Sequence, residues 1–258
     1  MDQKPLAEVV SSAQVLFLCV PSWVLRPVIG EVKQHLSPGT VLVSVAKGVE
    51  ESTLATMDQV LNDEASGFPY VLLGGPLIAE EVANGQWGVG VAATESETAC
   101  DAVSEIFRST NVLIEPSSDV HGVALSGVIK NIYAIGLGAI SVLFPGLNFR
   151  GWFTAQACKE MGDVVVALGG KKETIYSAAG LGDLIATGFS SDSSNHQAGR
   201  ELAESGKPQH KSEGVASLSQ VVQLLDGNTE GYMLLNMLRR SIMEGKDISD
   251  EFKEIFKG

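Results

Sequence analysis

The sequence is poor in the residues that disulfides, metals and polyanionic partners require. Three cysteines, Cys19, Cys100 and Cys158, are spread over 258 residues, odd in number and with no C-x-x-C pair. Each lies in an apolar or helical context, which predicts buried free thiols in a reducing compartment. The four histidines show no metal-ligand spacing, so no metal site is expected. Basic residues are scarce as well: 18 Lys and Arg against 31 Asp and Glu leave a net charge of −13. Nucleic acid and anionic membrane surfaces both repel such a chain, and an anionic small ligand would need a local basic site. No apolar h-region follows Met1-Asp2-Gln3-Lys4-Pro5, so no signal peptide is expected. The longest apolar stretch, Val123 to Phe144, could span a bilayer by length, but Lys130, Asn131 and several glycines interrupt it and no basic flank follows. These features predict a buried helix of a soluble, cytoplasmic protein with no membrane insertion. Internal repeats and low-complexity segments are absent.

What is present is material for a large core, with 45% hydrophobic residues. Val15–Val20 and Val41–Val45 are continuous apolar runs, read as strands buried on both faces. Tyr70–Leu73, Val89–Ala92 and Val112–Ile114 read as three more strands. Helical spacing covers Leu25–Leu36, Ser52–Leu61 and Ser96–Arg108. This alternation predicts an α/β domain with a largely parallel sheet over residues 1–117. After Pro116 strand signals stop. Val120–Phe144, Thr154–Leu168, Lys172–Tyr176, Asn195–Glu204, Leu218–Leu225, Tyr232–Met243 and Asp250–Phe256 all have helical spacing, so residues 118–258 form a second, all-α domain, with Phe144–Asn148 as a loop.

An α/β domain followed by an all-helical one suggests a nucleotide-dependent enzyme, yet the phosphate-binding fingerprint is missing. Gly88-Val-Gly90-Val-Ala-Ala93 formally fits G-x-G-x-x-A, but its glycines precede or lie within a strand instead of forming a strand-to-helix turn. Lys130 and Asn131 stand side by side in the apolar helix, where Ser126, Gly127 and Ala134 are small neighbours one turn away. A small molecule could approach that ammonium. By local sequence alone, a lysine that snorkels or pairs with a distant carboxylate is the favoured reading.

A series of short motifs reverses that preference. Val20-Pro21-Ser22, Ala46-Lys47-Gly48, Gly75-Pro76 with Ala79-Glu80-Glu81-Val82-Ala83, Lys130-Asn131, Glu160-Met161, Gly180-Leu181-Gly182-Asp183-Leu184, Thr187, Ser193 with Asn195, and Glu213-Gly214 occur in one order. Over essentially the whole chain this order resembles the NAD(P)-dependent glycerol-3-phosphate dehydrogenase family. The resemblance implies a partial Rossmann-like sheet followed by a helical domain like the C-terminal part of 6-phosphogluconate dehydrogenase. It also implies that about 60 to 80 residues, roughly two βαβ-sized units, are missing ahead of Val15, with the pyrophosphate loop and the groups that read the adenosine ribose. The first strand would then expose a flank open to self-association.

By the same resemblance the reaction is hydride transfer between sn-glycerol 3-phosphate and dihydroxyacetone phosphate, with NAD or NADP as cofactor and a homodimer as the assembly. Lys130 would be the acid/base at the carbinol oxygen, its pKa lowered by burial beside a second cation. Lys47 would be a second catalytic lysine, near nicotinamide and substrate, and Asp183 the carboxylate partner. Asn131, Thr187, Ser193, Ser194 and Asn195 would line the substrate. Pro21, Lys47, Gly75, Pro76, Ala79 and Glu213 would touch the cofactor. Without the resemblance, Asp183 reads as a helix N-cap, Thr187 as a mid-helix hydroxyl bonding its own backbone, and Asn131 as a satisfied core amide. Ser194 stands where the family has an arginine that clamps substrate phosphate, and a serine offers one neutral hydrogen bond in its place. Gln156 replaces a common arginine and Leu77-Ile78 a usual Ser-Phe pair. Three readings follow: a family dehydrogenase, a related reductase of another small hydroxy or keto substrate, and a noncatalytic paralogue or fragment serving as an interaction module.

Overall fold

A computed structural model describes residues 5–256, which divide into two compact units between Ala124 and Leu125. The first contains α1 (Leu6–Ser12), β1 (Val15–Leu18), α2 (Ser22–Val32), β2 (Val41–Ser44), α3 (Met57–Glu64), β3 (Tyr70–Gly74), α4 (Ala79–Ala83), β4 (Gly88–Ala93), α5 (Glu97–Phe107) and β5 (Val112–Ser117). The strands lie in sequence order, β1-β2-β3-β4-β5. β1, β2 and β3 pair parallel, β4 runs antiparallel to β3, and β5 runs parallel to β4. β2 is buried at all four positions, as its uninterrupted Val-Leu-Val run requires. Val41, Val43, Val71, Leu73 and Ala92 form one core with Ala99 and Val103 of α5. Ser96 starts that helix by accepting the Ala99 amide.

Several expectations need correction. β1 pairs with β2 alone, so Val15, Leu16 and Phe17 are only half-buried and the apolar run is not covered on both faces. Cys19, just past it, is exposed and Cys100 is half-buried; only Cys158 is the buried thiol expected of all three. The helix read from Ser52 begins at Met57. Glu50 is drawn onto Arg26 at 2.7 Å, Val49 bridges Thr56, and Leu54 takes a φ of 58°, which together make residues 50–56 a turn. Thr56 and Gln59 then close a capping box that nucleates α3. α1 and α4 span seven and five residues, too few turns for a helical period to show in sequence. Gly88 and Gly90 lie inside β4, where added β-carbons would press on Leu77, Leu73 and Ile114, so they serve packing.

The second unit is all-helical. α6 (Val120–Leu143) begins before the division and continues through it; its apolar window is long enough to cross a membrane and is wholly buried in the fold. There follow α7 (Leu147–Ala167), a 3-10 turn at Lys172–Tyr176, a π-helical turn at Ala178–Gly182, α8 (Asp183–Phe189), α9 (Ser194–Ser205), α10 (Glu213–Leu224), α11 (Met233–Met243) and α12 (Ile248–Ile255). α7 starts at Leu147, two turns before the expected Thr154 and inside the expected loop, because Phe149 and Trp152 join Phe144, Phe252 and Phe256 in an aromatic cluster. Glu160 of α7 accepts the Leu234 and Leu235 amides at 2.8 and 3.1 Å and the Tyr133 hydroxyl at 3.0 Å. It thereby satisfies two buried first-turn donors of α11 that have no partner within the helix. Burial pushes the Glu160 carboxyl up despite those bonds, and burial holds the Tyr133 phenol well above its ordinary range.

Candidate active site

Asp183 opens α8 and Thr187 follows one turn later, so both face the same direction. That face meets Lys130 in α6. Lys130 Nζ donates to Asp183 Oδ1 at 3.0 Å and to Thr187 Oγ1 at 2.5 Å, and Thr187 donates to Asp183 Oδ1 at 3.2 Å. The side chains of Lys130 and Asp183 are each 5% exposed, which makes this a desolvated ion pair. Thr187 does not bond its own helix carbonyl here; its hydroxyl bridges ammonium and carboxylate. The π-helical turn before α8 sets the approach: a β-carbon on Gly180 would overlap the Ile175 backbone.

A second polar group lies beside the first along α6. Asn195, second residue of α9, donates through Nδ2 to Asn131 Oδ1 at 2.9 Å, and its Oδ1 accepts the Gly214 amide of α10 at 2.8 Å. Glu213 is the first residue of α10. Ser193 caps α9 by accepting the His196 amide, and Ser194 is the first residue of that helix. α9 crosses α6 backbone to backbone, since β-carbons on Gly199 and Gly138 would overlap the carbonyl oxygens of Ile135 and His196. His196 was not anticipated. Its ring Nδ1 hydrogen-bonds to the Gly188 carbonyl at 2.7 Å, and burial pulls its pKa below the ordinary 6.5, with the charges of Arg200 and Arg150 acting in the same sense. A histidine one residue past Asn195 was the available signal.

The remaining expected residues belong to the first unit. Pro21 precedes α2 just beyond β1, Lys47 follows β2 half-buried, and Gly75-Pro76 follow β3. Because these three strands run parallel, the residues share the carboxyl edge of the sheet, where α/β sheets bind ligands. Ala79 is the first residue of α4. Gly75 has a φ of 98° and abuts the Val89 carbonyl, a place no side chain fits. α2 has no side-chain cap, and the Val24 amide bonds back to the Pro21 carbonyl at 3.2 Å. A lysine beside a tight glycine turn on one sheet edge is chemically compatible with the nicotinamide end of a dinucleotide.

Comparisons with known proteins give the family. A family model described as the NAD-dependent glycerol-3-phosphate dehydrogenase N-terminus matches residues 2–100, and one described as the C-terminus matches residues 119–253. Glycerol-3-phosphate dehydrogenase (NAD(P)+) 1 of Mycobacterium tuberculosis is 38% identical over 216 residues, 84% of this chain and 62% of that relative. Glycerol-3-phosphate dehydrogenase (NAD(P)+) 2 of Sphingopyxis alaskensis is 34% identical over 229 residues, 86% of this chain and 68% of that relative. The chain thus spans under two thirds of the mycobacterial relative's length. The crystal structure of glycerol-3-phosphate dehydrogenase from Coxiella burnetii superposes with a TM-score of 0.89 at 26% identity, covering 98% of this chain and 80% of that one. Matched in order through both halves, the chain belongs to the NAD-dependent glycerol-3-phosphate dehydrogenase family.

Proposed function

We propose that the protein catalyses hydride transfer between sn-glycerol 3-phosphate and dihydroxyacetone phosphate, with NAD or NADP as cofactor. The observation that carries this reading is the buried Lys130–Asp183 pair with Thr187 across it. In the reducing direction Lys130 donates a proton to the carbonyl oxygen of dihydroxyacetone phosphate as that oxygen becomes an alkoxide; in reverse it removes the carbinol proton. Asp183 offsets the ammonium charge, and Thr187 fixes the direction in which Nζ points. When bound, the nicotinamide supplies or takes the hydride at the same carbon. As the family resemblance implies, Pro21, Lys47, Gly75, Pro76 and Ala79 of the first unit would hold the cofactor, and Glu213 of the second is assigned to it by the same resemblance. Ser193, Ser194 and the first α9 amides would receive the substrate phosphate, more weakly than an arginine would.

A homodimer and a cytoplasmic location belong to the same proposal. Tyr176, Ile185 and Phe189 leave exposed apolar surface around a groove of about 620 Å³ that a second copy would cover. Burial of the one long apolar helix and the three unpaired thiols support the location.

The test is oxidation of NADH or NADPH by the purified chain with dihydroxyacetone phosphate. Turnover that disappears in Lys130→Met supports the reading; turnover that survives this change removes Lys130 from the chemistry. Ser194 favours one second reading, a reductase less dependent on phosphate. If Ser194→Arg leaves the KM for dihydroxyacetone phosphate unchanged, phosphate is not held at α9.

A further inference from the structure

We propose that Arg150 forms an anion site with the first amides of α7 and with Ser141 and His196, one that takes inorganic phosphate or the phosphate of a small monoester. The site stands apart from the reaction proposed above. Six arginines occur in the chain, and five of them, Arg26, Arg108, Arg200, Arg239 and Arg240, each hold a carboxylate. Arg150 is the exception. Its guanidinium makes no hydrogen bond or ion pair among the described residues, although the residue is half-buried and its Nε is enclosed. With 31 Asp and Glu against 18 Lys and Arg, an arginine that no carboxylate meets is poised for an anion from outside the chain. A buried donor left open is costly until an acceptor arrives.

The surroundings of Arg150 suit the same charge. α7 runs for 21 residues from Leu147 with no side-chain cap and no acid in its first turn. The Leu147, Asn148 and Phe149 amides make no hydrogen bond among the described residues, and the helix dipole favours an anion there. Side chains on a helix lean toward its N-terminus, which brings Arg150 back over those amides. α6 ends at Leu143, a short turn before α7, and in its last turn Ser141 Oγ lies 3.4 Å from His196 Nε2. Burial is the larger cause of the lowered His196 pKa; the charges of Arg200 and Arg150 add to it, so both guanidinium groups lie near the ring. The Arg200 charge is already shared with Glu204 at 3.0 Å. His196 Nδ1 faces the Gly188 carbonyl at 2.7 Å and so carries a proton, and the Ser141 hydroxyl gives its own to the Gly138 carbonyl at 2.6 Å. Nε2 of the neutral ring therefore meets Ser141 Oγ with no proton between them. An anion on Arg150 would favour a proton on Nε2, which then bonds Ser141 Oγ. This site is not the substrate's. Asn195 reaches Asn131, whereas His196 reaches Ser141 roughly 15 Å further along α6, more than a three-carbon phosphate spans.

The full chain, in a buffer free of phosphate and sulfate and read by NMR, provides the test. Adding inorganic phosphate should shift the Arg150 Nε–H and His196 ring resonances along one saturable curve and slow exchange of the Arg150 proton. Methyl phosphate binding more tightly than inorganic phosphate identifies a monoester as the natural occupant, and the reverse order identifies the free ion; either supports the site. Sulfate keeps its two charges across the range in which His196 titrates, so it isolates the coupling to the ring. It should raise the His196 pKa by about one and, reciprocally, bind about tenfold more tightly to the protonated ring. Arg150→Met should abolish the saturable His196 shift, and Arg150→Lys should retain part of it as a point charge. A shift that never saturates, one that survives in Arg150→Met, or a His196 pKa untouched by sulfate overturns the proposal. Should Arg150→Met not fold, an Arg150 Nε–H resonance unmoved by phosphate in the unmodified chain overturns it alone. None of these readouts needs turnover, so failure of the dehydrogenase reading leaves the result standing.

Discussion

Lys130 sits in a helix with almost no water around it and leans on one carboxylate oxygen and one hydroxyl. A buried charge that loses its partner is left uncompensated, whereas a pair replaced by apolar groups of similar size costs little. Asp183→Ala should therefore lower unfolding free energy by about 3–5 kcal/mol, and Lys130→Met with Asp183→Leu should recover most of it. Urea titrations of both variants check the sign. Turnover should be absent in both, which separates stability from chemistry. His196 gives a pH dependence. Its folded pKa is depressed below 6.5, so the folded state disfavours the imidazolium. Above pH 6.5 both states are neutral and nothing is lost; as pH falls through 6.5 the unfolded chain takes up the proton first and stability declines. His196→Gln should show a shallower decline between pH 7.5 and 5.5 by urea denaturation, about the same interval on either side of 6.5.

The helices of the second unit meet through glycine. Gly199 allows the backbones of α9 and α6 to touch, and no side-chain rearrangement can relieve a β-carbon placed against a carbonyl. Gly199→Ala should cost about 3 kcal/mol, the upper part of the range for overpacking. Gly206 ends α9 in the left-handed region at φ 79° with open space around it, so Gly206→Ala should cost only about 1 kcal/mol of backbone strain. Thermal denaturation of the two variants ranks them. Comparable losses would mean that the α9–α6 contact is looser than the structure has it.

For the whole molecule, charge and burial make separate statements. A net charge of −13 opposes anionic surfaces, and α6, the one described helix apolar enough for a bilayer, is enclosed by protein. The chain should not sediment with vesicles of anionic phospholipid. Amides of residues 128–140 should exchange last of all by mass spectrometry, because α6 lies at the centre of the second unit's core. Vesicle binding with early exchange of that segment would show that α6 leaves the fold.

The order of strands and helices was legible because β2 is a short apolar block and α6 a long one, patterns that burial itself imposes. Lys130, Asp183, Asn195 and their companions were legible only as a family order, since a buried lysine looks like any interrupted helix until its partner is known. Sequence alone did not reveal that Glu50 would turn toward Arg26 and shift the start of α3, nor that Cys19, just past the edge strand β1, would be exposed. Those outcomes depend on partners 24 residues away or on which strand lies beside another. The sequence by itself determined the fold class, the family and the identity of the polar residues placed inside apolar helices. Only the tertiary structure decided which of them meet: Lys130 with Asp183 and Thr187, Asn131 with Asn195, across separations of 53, 57 and 64 residues. The reason is that a buried polar group must find a partner wherever the chain brings one, and local sequence holds no record of where that is.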